Sequence, residues 1–211
     1  MANKQIKDLN VRSDVHKTDK LIVQSADDTV SNISVDALAD ETRFQIMGWG
    51  YRSDNGLDTT PLSVDGDTWT QLTNDGASSS SATGFLADGI TRVFDTSTGQ
   101  VKLDQLSLAS TVLFRVGLEM TPSVNNTLVS VRLNYNARDE NNDILYSFQQ
   151  DSQTSELAES GAGTVYNKIF IIPVYVGDEN SRRGEGYFEV HSSAALSVND
   201  VKILSIISGG A

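Results

Sequence analysis

Apolar side chains recur at every second position through most of this chain. Thr111 to Met120 sets Val112, Phe114, Val116, Leu118 and Met120 on one face and Leu113, Arg115, Gly117 and Glu119 on the other. Thr127 to Tyr135 sets Val129, Val131, Leu133 and Tyr135 against Leu128, Ser130, Arg132 and Asn134. Ile144, Tyr146 and Phe148 alternate with Leu145, Ser147 and Gln149, and Gly186 to His191 puts Phe188 and Val190 together. A period of two is the geometry of a pleated strand with one face on a core. Shorter candidates are 44–50, 68–72, 90–95 and 100–103. Turn formers stand between them: Asp54-Asn55-Gly56, Asp65-Gly66, Asn74-Asp75-Gly76, Thr98-Gly99, Asn125-Asn126, Glu140-Asn141-Asn142-Asp143 and Gly184-Glu185-Gly186. Asn, Asp and Gly tolerate the positive φ that tight hairpins need. Ser78 to Ser81 reads as a polar loop, and Asp151 to Gly163 as a longer exposed one. Residues 104–109 read as no more than a turn. Many short strands with little helix predict an antiparallel β-sandwich or barrel.

Two strands depart from the half-buried pattern. Lys168 to Val176 and Val201 to Ile207 carry apolar residues on both faces. One face belongs to the core; the other needs separate cover, because each Å² of apolar surface left wet forgoes about 25 cal/mol. The expectation is a subunit interface built from Ile169, Phe170, Ile171, Ile172, Tyr175, Ile203, Leu204 and Ile206. Pro173 lacks an N–H, which predicts an edge strand, a bulge or a strand break.

The first 45 residues are organised differently. Short apolar clusters (Ile6 and Leu9; Leu21 and Val23; Ile33, Val35 and Leu38) are separated by polar gaps. Such a segment buries too little to offset its own ordering entropy and is expected to order on something else. Ser34 is a plausible N-cap for a short helix from Val35 to about Arg43. The punctuation Ile6-x-Asp8-Leu9, Asp19-x-Leu21-x-Val23, Ile33-x-Val35-Asp36-x-Leu38 resembles the N-terminal segment of many tailed-bacteriophage virion proteins. That resemblance covers residues 3 to 40 and implies an extended anchor at 1–45 that holds the protein to other phage virion proteins of the capsid, neck or tail. A second resemblance starts at Thr68-Trp69-Thr70-Gln71-Leu72-Thr73-Asn74-Asp75-Gly76 and runs through Val93-Phe94-Asp95 and Phe114-Arg115-Val116-Gly117-Leu118. It is similar to the jelly-roll heads of phage fibres, which resemble tumour-necrosis-factor and complement C1q heads. It implies a mainly β, antiparallel jelly-roll sandwich at 46–211, typically a homotrimer.

Charge and composition narrow the chemistry. The formal net charge of −12 disfavours nucleic acid and anionic membranes as partners. No run approaches the roughly 18 apolar residues of a membrane span, and the first nine residues lack the apolar core of a secretory signal. With no cysteine, there is no disulfide, thiolate metal site or cysteine nucleophile. No phosphate-cradling glycine motif follows a strand. The only histidines are His16 and His191, so a His191, Ser192 and Asp200 triad is the one nucleophilic arrangement worth checking. The acidic turns offer oxygen ligands for calcium without EF-hand spacing. Trp49 and Tyr51 are the aromatic pair singled out for a ligand such as a host-surface glycan, with Trp69 and Tyr187 as further aromatics.

These readings predict a structural virion protein, assembled in the host cytoplasm, with no cofactor, no metal and no enzymatic activity. The alternatives are a receptor-binding adsorption module and, further off, a polysaccharide hydrolase. The first asks for a concave aromatic or polar patch, the second for two convergent carboxylates in a cleft.

Overall fold

The computed structural model of the protein describes residues 20–24, 30–34, 45–54, 61–72, 79–86, 89–95, 98–152, 154–157 and 161–209. The chain divides into two compact units, Met1–Gln45 with Ala211 and Ile46–Gly210.

In the first unit, β1 (Lys20–Gln24) pairs antiparallel with β2 (Val30–Ser34), and Leu21 stands opposite Ile33 and Val23 opposite Ser31. The segment expected to be extended thus contains a hairpin made from two of its apolar clusters. A two-stranded ribbon of five residues a side is marginal by itself. Ile6, Leu9, Val35 and Leu38, and the expected helix from Val35 to Arg43, lie outside the described residues.

The remaining strands are β3 (Gln45–Asp54), β4 (Leu62–Val64), β5 (Thr68–Gln71), β6 (Ser79–Leu86), β7 (Phe94–Asp95), β8 (Gln100–Lys102), β9 (Thr111–Pro122), β10 (Leu128–Arg138), β11 (Ile144–Asp151), β12 (Ser155–Glu156), β13 (Tyr166–Tyr175), β14 (Glu185–Ser192) and β15 (Leu196–Gly209). Among the described residues, one short helix, α1 (Glu179–Arg183), joins β13 to β14. The strands form two sheets. One runs β11-β10-β14-β8-β7, with β12 on β10 and β5 on β14; the other runs β13-β9-β15-β3-β6, with β4 on β15. Pairing is nested: β3 with β15, β5 and β8 with β14, β9 with β13, and β10 with β11. First pairs with last and inner with inner, as when one long hairpin is rolled into two layers. This is the antiparallel jelly-roll sandwich.

The core lies between the layers. Phe114 of β9 meets Phe188 of β14 edge-on, with ring centroids 5.2 Å apart. Val112, Phe114, Val116, Leu118 and Met120 are buried, as are Val129, Val131, Leu133, Tyr135, Phe188 and Val190. Every one of these was placed inward by the alternation. Asp67, Asn126, Asn142 and Gly99 take positive φ in the expected turns.

Four expectations are corrected. The serine tract at 78–81 is mostly strand: Ser79, Ser80 and Ser81 pair with Asp54, Ser53 and Arg52 of β3, so backbone pairing overrides a loop-like composition. The stretch from Asp151 to Gly163 carries β12, and its Leu157 is fully buried. Gly184 and Gly186 do not form a turn. Gly184 ends α1, and Gly186 lies in β14, where a Cβ would come within 2.5 Å of the Tyr135 ring and 2.7 Å of Asn134 O. These glycines make room for a buried tyrosine whose hydroxyl donates to Ser181 O at 2.9 Å. Finally, β11 is not half-buried: Ile144, Leu145 and Tyr146 are exposed on an edge strand.

Candidate interaction surface

The outer faces of the two sheets differ in kind. On the sheet of β13, β9 and β15, register aligns Ile169 with Gly117 and Lys202, Ile171 with Arg115 and Leu204, Pro173 with Leu113 and Ile206, and Tyr175 with Thr111 and Ser208. Ile169 is 53% exposed, Ile171 56% and Tyr175 61%; Leu204 and Ile206 are half-buried. The strands are two-faced because β13 sends Phe170, Ile172 and Val174 into the core while its odd-numbered residues face out. Phe170, Ile172 and Ile203 are therefore core residues. The interface residues expected from sequence reduce, on the solvent side, to Ile169, Ile171, Tyr175, Leu204 and Ile206. Pro173 sits on an edge strand, where its missing N–H costs the ladder least.

A depression of about 220 Å³ opens on this face, lined by Arg115, Gly117, Ile169, Lys202 and Leu204. It exists because Gly117 contributes no side chain. A Cβ there would sit 3.6 Å from Lys202, an ordinary contact, so the space is open rather than forced. Lys202 pairs with Asp200, whose second carboxylate oxygen is buried without a partner. A second depression, about 490 Å³, runs beside β13 and is lined by Thr154, Ser155, Glu156, Ile169, Phe170 and Ile171.

The other outer face is polar and bonded to itself. Arg132 donates through Nε to Glu189 at 2.7 Å and through a terminal nitrogen to Gln149 at 2.8 Å, and its guanidinium lies 4.0 Å above the Trp69 ring. Trp69 also contacts His191, with centroids 5.2 Å apart. Gln100 donates to the Tyr187 hydroxyl at 2.8 Å and Ser147 to Asn136 at 2.6 Å. Arg138 donates to Glu185 at 2.6 Å. Trp69 is thus packed under a cation rather than left open as a sugar platform. Trp49 and Tyr51 lie on β3 opposite Phe85 and Ala82 of β6; their side chains fall outside the described residues.

Among the described residues, His191, Ser192 and Asp200 do not converge. Ser192 is buried and His191 is not, because neighbouring residues of β14 point to opposite faces, and Asp200 belongs to the other sheet. Among the described residues, no three His, Asp or Glu side chains gather to hold a metal. Asp178, in one of the acidic turns, caps α1. Its carboxylate accepts from Ser181 N at 2.6 Å, while Ser181 Oγ accepts from Asp178 N at 3.2 Å. Sequence reading missed this capping box because the helix is only five residues long and has no apolar stripe. Those hydrogen bonds, led by the Ser181 N–H, hold the Asp178 carboxyl below its ordinary value. Asp139 is lowered likewise, chiefly by the Asp143 backbone N–H.

No family model and no curated protein matches the chain. Among solved structures it is similar to the PRD1 vertex protein P5, at 12% identity over 98% of this chain and 89% of that one, with a TM-score of 0.36. It is also similar to a Clostridium thermocellum xylanase 10B structure of CBM22-1 and GH10 modules, at 11% identity, 82% and 28% coverage and a TM-score of 0.32. The chain of the T13 IBDV particle gives 6% identity, 90% and 65% coverage and a TM-score of 0.32. TM-scores this low carry no argument about function.

Proposed function

We propose that this chain is a structural protein of a virus particle: a trimeric jelly-roll head, residues 46–211, displayed outward and attached through residues 1–45 to other virion proteins. The observation that carries this reading is the outer face of β13, β9 and β15, where Ile169, Ile171 and Tyr175 stand exposed beside Leu204 and Ile206. A contiguous apolar sheet face of this kind is an interaction surface more often than a solvent surface. The resemblance of residues 3 to 40 to phage virion anchors supplies the setting, and the jelly-roll topology fits a fibre or decoration head. The function is assembly and display, with no catalytic step.

The test combines location and truncation. A reconstruction of purified particles should show the head projecting from the surface, and a chain lacking residues 1–45 should fold but fail to join particles. Absence of the chain from purified particles would refute the reading. Truncated chain incorporated at normal copy number would remove the anchor from it. In sedimentation velocity at micromolar concentration the full chain should run as an oligomer.

A further inference from the structure

Resting on that oligomeric reading, we infer that the oligomer is assembled face to flank: the apolar face around Arg115 receives the acidic β11–β12 flank of a second copy. Arg115 lies at the middle of the face, between Ile171 and Leu204 in register, exposed and with no ion-pair partner among the described residues. A guanidinium set between Ile171 and Leu204, beside a Lys202 already paired with Asp200, is the composition of a protein interface that expects a carboxylate.

Self-pairing of this face does not satisfy it. A two-fold contact centred on the patch would bring Arg115 against its own copy, two like charges in a drying interface. The patch is also small. Four outward residues on each of three strands span about 20 Å by 10–14 Å, on the order of a few hundred Å², against about 800 Å² per partner in a stable interface. A head-to-tail arrangement removes the like-charge contact, and in a closed ring each copy buries two different surfaces rather than one.

The second surface is on the page. Ile144, Leu145 and Tyr146 of β11 are exposed, and β11 lies at the edge of the sandwich that it shares with β13. The same flank carries Asp143, Asp151 and Glu156, all exposed. Asp151 and Glu156 have no ion-pair partner among the described residues. Apolar-plus-acidic on the flank complements apolar-plus-cationic on the face. Successive face-to-flank contacts close into a ring when the rotation permits, which is how a trimer would arise.

The absence of cysteine makes this directly testable in the full-length chain. Leu204→Cys chain mixed with Leu145→Cys chain should form a mixed disulfide under mild oxidation far faster than either forms with itself. Arg115→Glu should weaken association at least tenfold in sedimentation velocity with unchanged far-UV circular dichroism. Adding Asp151→Lys and Glu156→Lys to the same chain should restore it. Leu204→Cys linking only to itself, Arg115→Glu associating normally, or reversal without rescue would each overturn the face-to-flank pairing while leaving the oligomer standing. A wild-type chain that is monomeric at micromolar concentration would overturn this inference and the oligomeric reading together.

Discussion

The two outer faces of one sandwich have solved the same problem in opposite ways. Each sheet covers one side of the core and must do something with the other. The sheet of β10 and β14 fills its outer side with Arg132, Glu189, Gln149 and Trp69, which contact one another, and with Tyr187 and Glu185, which bond to Gln100 and Arg138. Most of its polar side chains find partners within the chain, the buried Nε of Arg138 being an exception, so it is stable facing water. The sheet of β9, β13 and β15 fills its outer side with Ile, Leu and Tyr around Lys202, which pairs with Asp200, and Arg115, which has no ion-pair partner among the described residues. A polar lattice closes on itself, whereas an apolar face is completed only by another surface.

The largest expected effects bear on what the two faces share. Phe188→Ala opens a cavity under both sheets, where Phe188 packs on Phe114 and Phe94. It should cost about 3–5 kcal/mol, read from urea unfolding. A loss below about 1 kcal/mol would mean that the layers do not share one core.

Next comes the contrast itself. Ile171→Asp with Leu204→Asp should convert the oligomer to monomer with β-type circular dichroism intact. Trp69→Ala on the opposite face should leave the mass unchanged. If the Trp69 variant dissociates and the double aspartate does not, the assignment of the two faces is inverted.

Smaller effects sharpen the polar side. Arg132→Ala removes a half-buried ion pair, a hydrogen bond to Gln149 and a cation–π contact together. It should cost about 1–2 kcal/mol in chemical denaturation with no change of mass. A shift in oligomer mass would make this face part of the assembly.

The smallest is local. Asp178→Ala removes the N-cap of α1 and should cost about 1 kcal/mol. The pH dependence follows in sign. Because the folded carboxyl titrates below its ordinary value, its contribution is complete above that value and is lost as pH falls through the lowered one. Protection of the Ser181 amide, taken relative to its intrinsic exchange rate at the same pH, should be lost only at acid pH in the wild type, and already at neutral pH in the variant.

Much of the fold was legible because burial writes itself into strands with a period of two. The inward sets of β9, β10 and β14 were read residue by residue, as were most turns. Of the features that escaped, three did so for reasons visible in particular residues. The strand at Ser79–Leu86 has no apolar alternation at its start, since what holds Ser79 to Ser81 is backbone pairing to β3. Gly184 and Gly186 look like turn residues until the ring of Tyr135 is seen to fill the space their side chains would need. β11 alternates like a half-buried strand, yet it stands at a sheet edge, where no second layer covers it.

By itself the sequence determined that this is a mainly β chain without thiol chemistry and that two strands carry more apolar surface than one core face can use. Which of those residues remain outside was decided only by the tertiary structure. On β15, Leu196 and Val198 point inward, and simple alternation would send Lys202 and Leu204 in after them. A bulge between Val198 and Asp200 adds one residue and reverses the parity, so Val201, Ile203 and Ile207 enter the core while Lys202, Leu204 and Ile206 turn outward. A one-residue slip moves every following side chain to the other face. When both faces are apolar, hydropathy alone cannot register that slip.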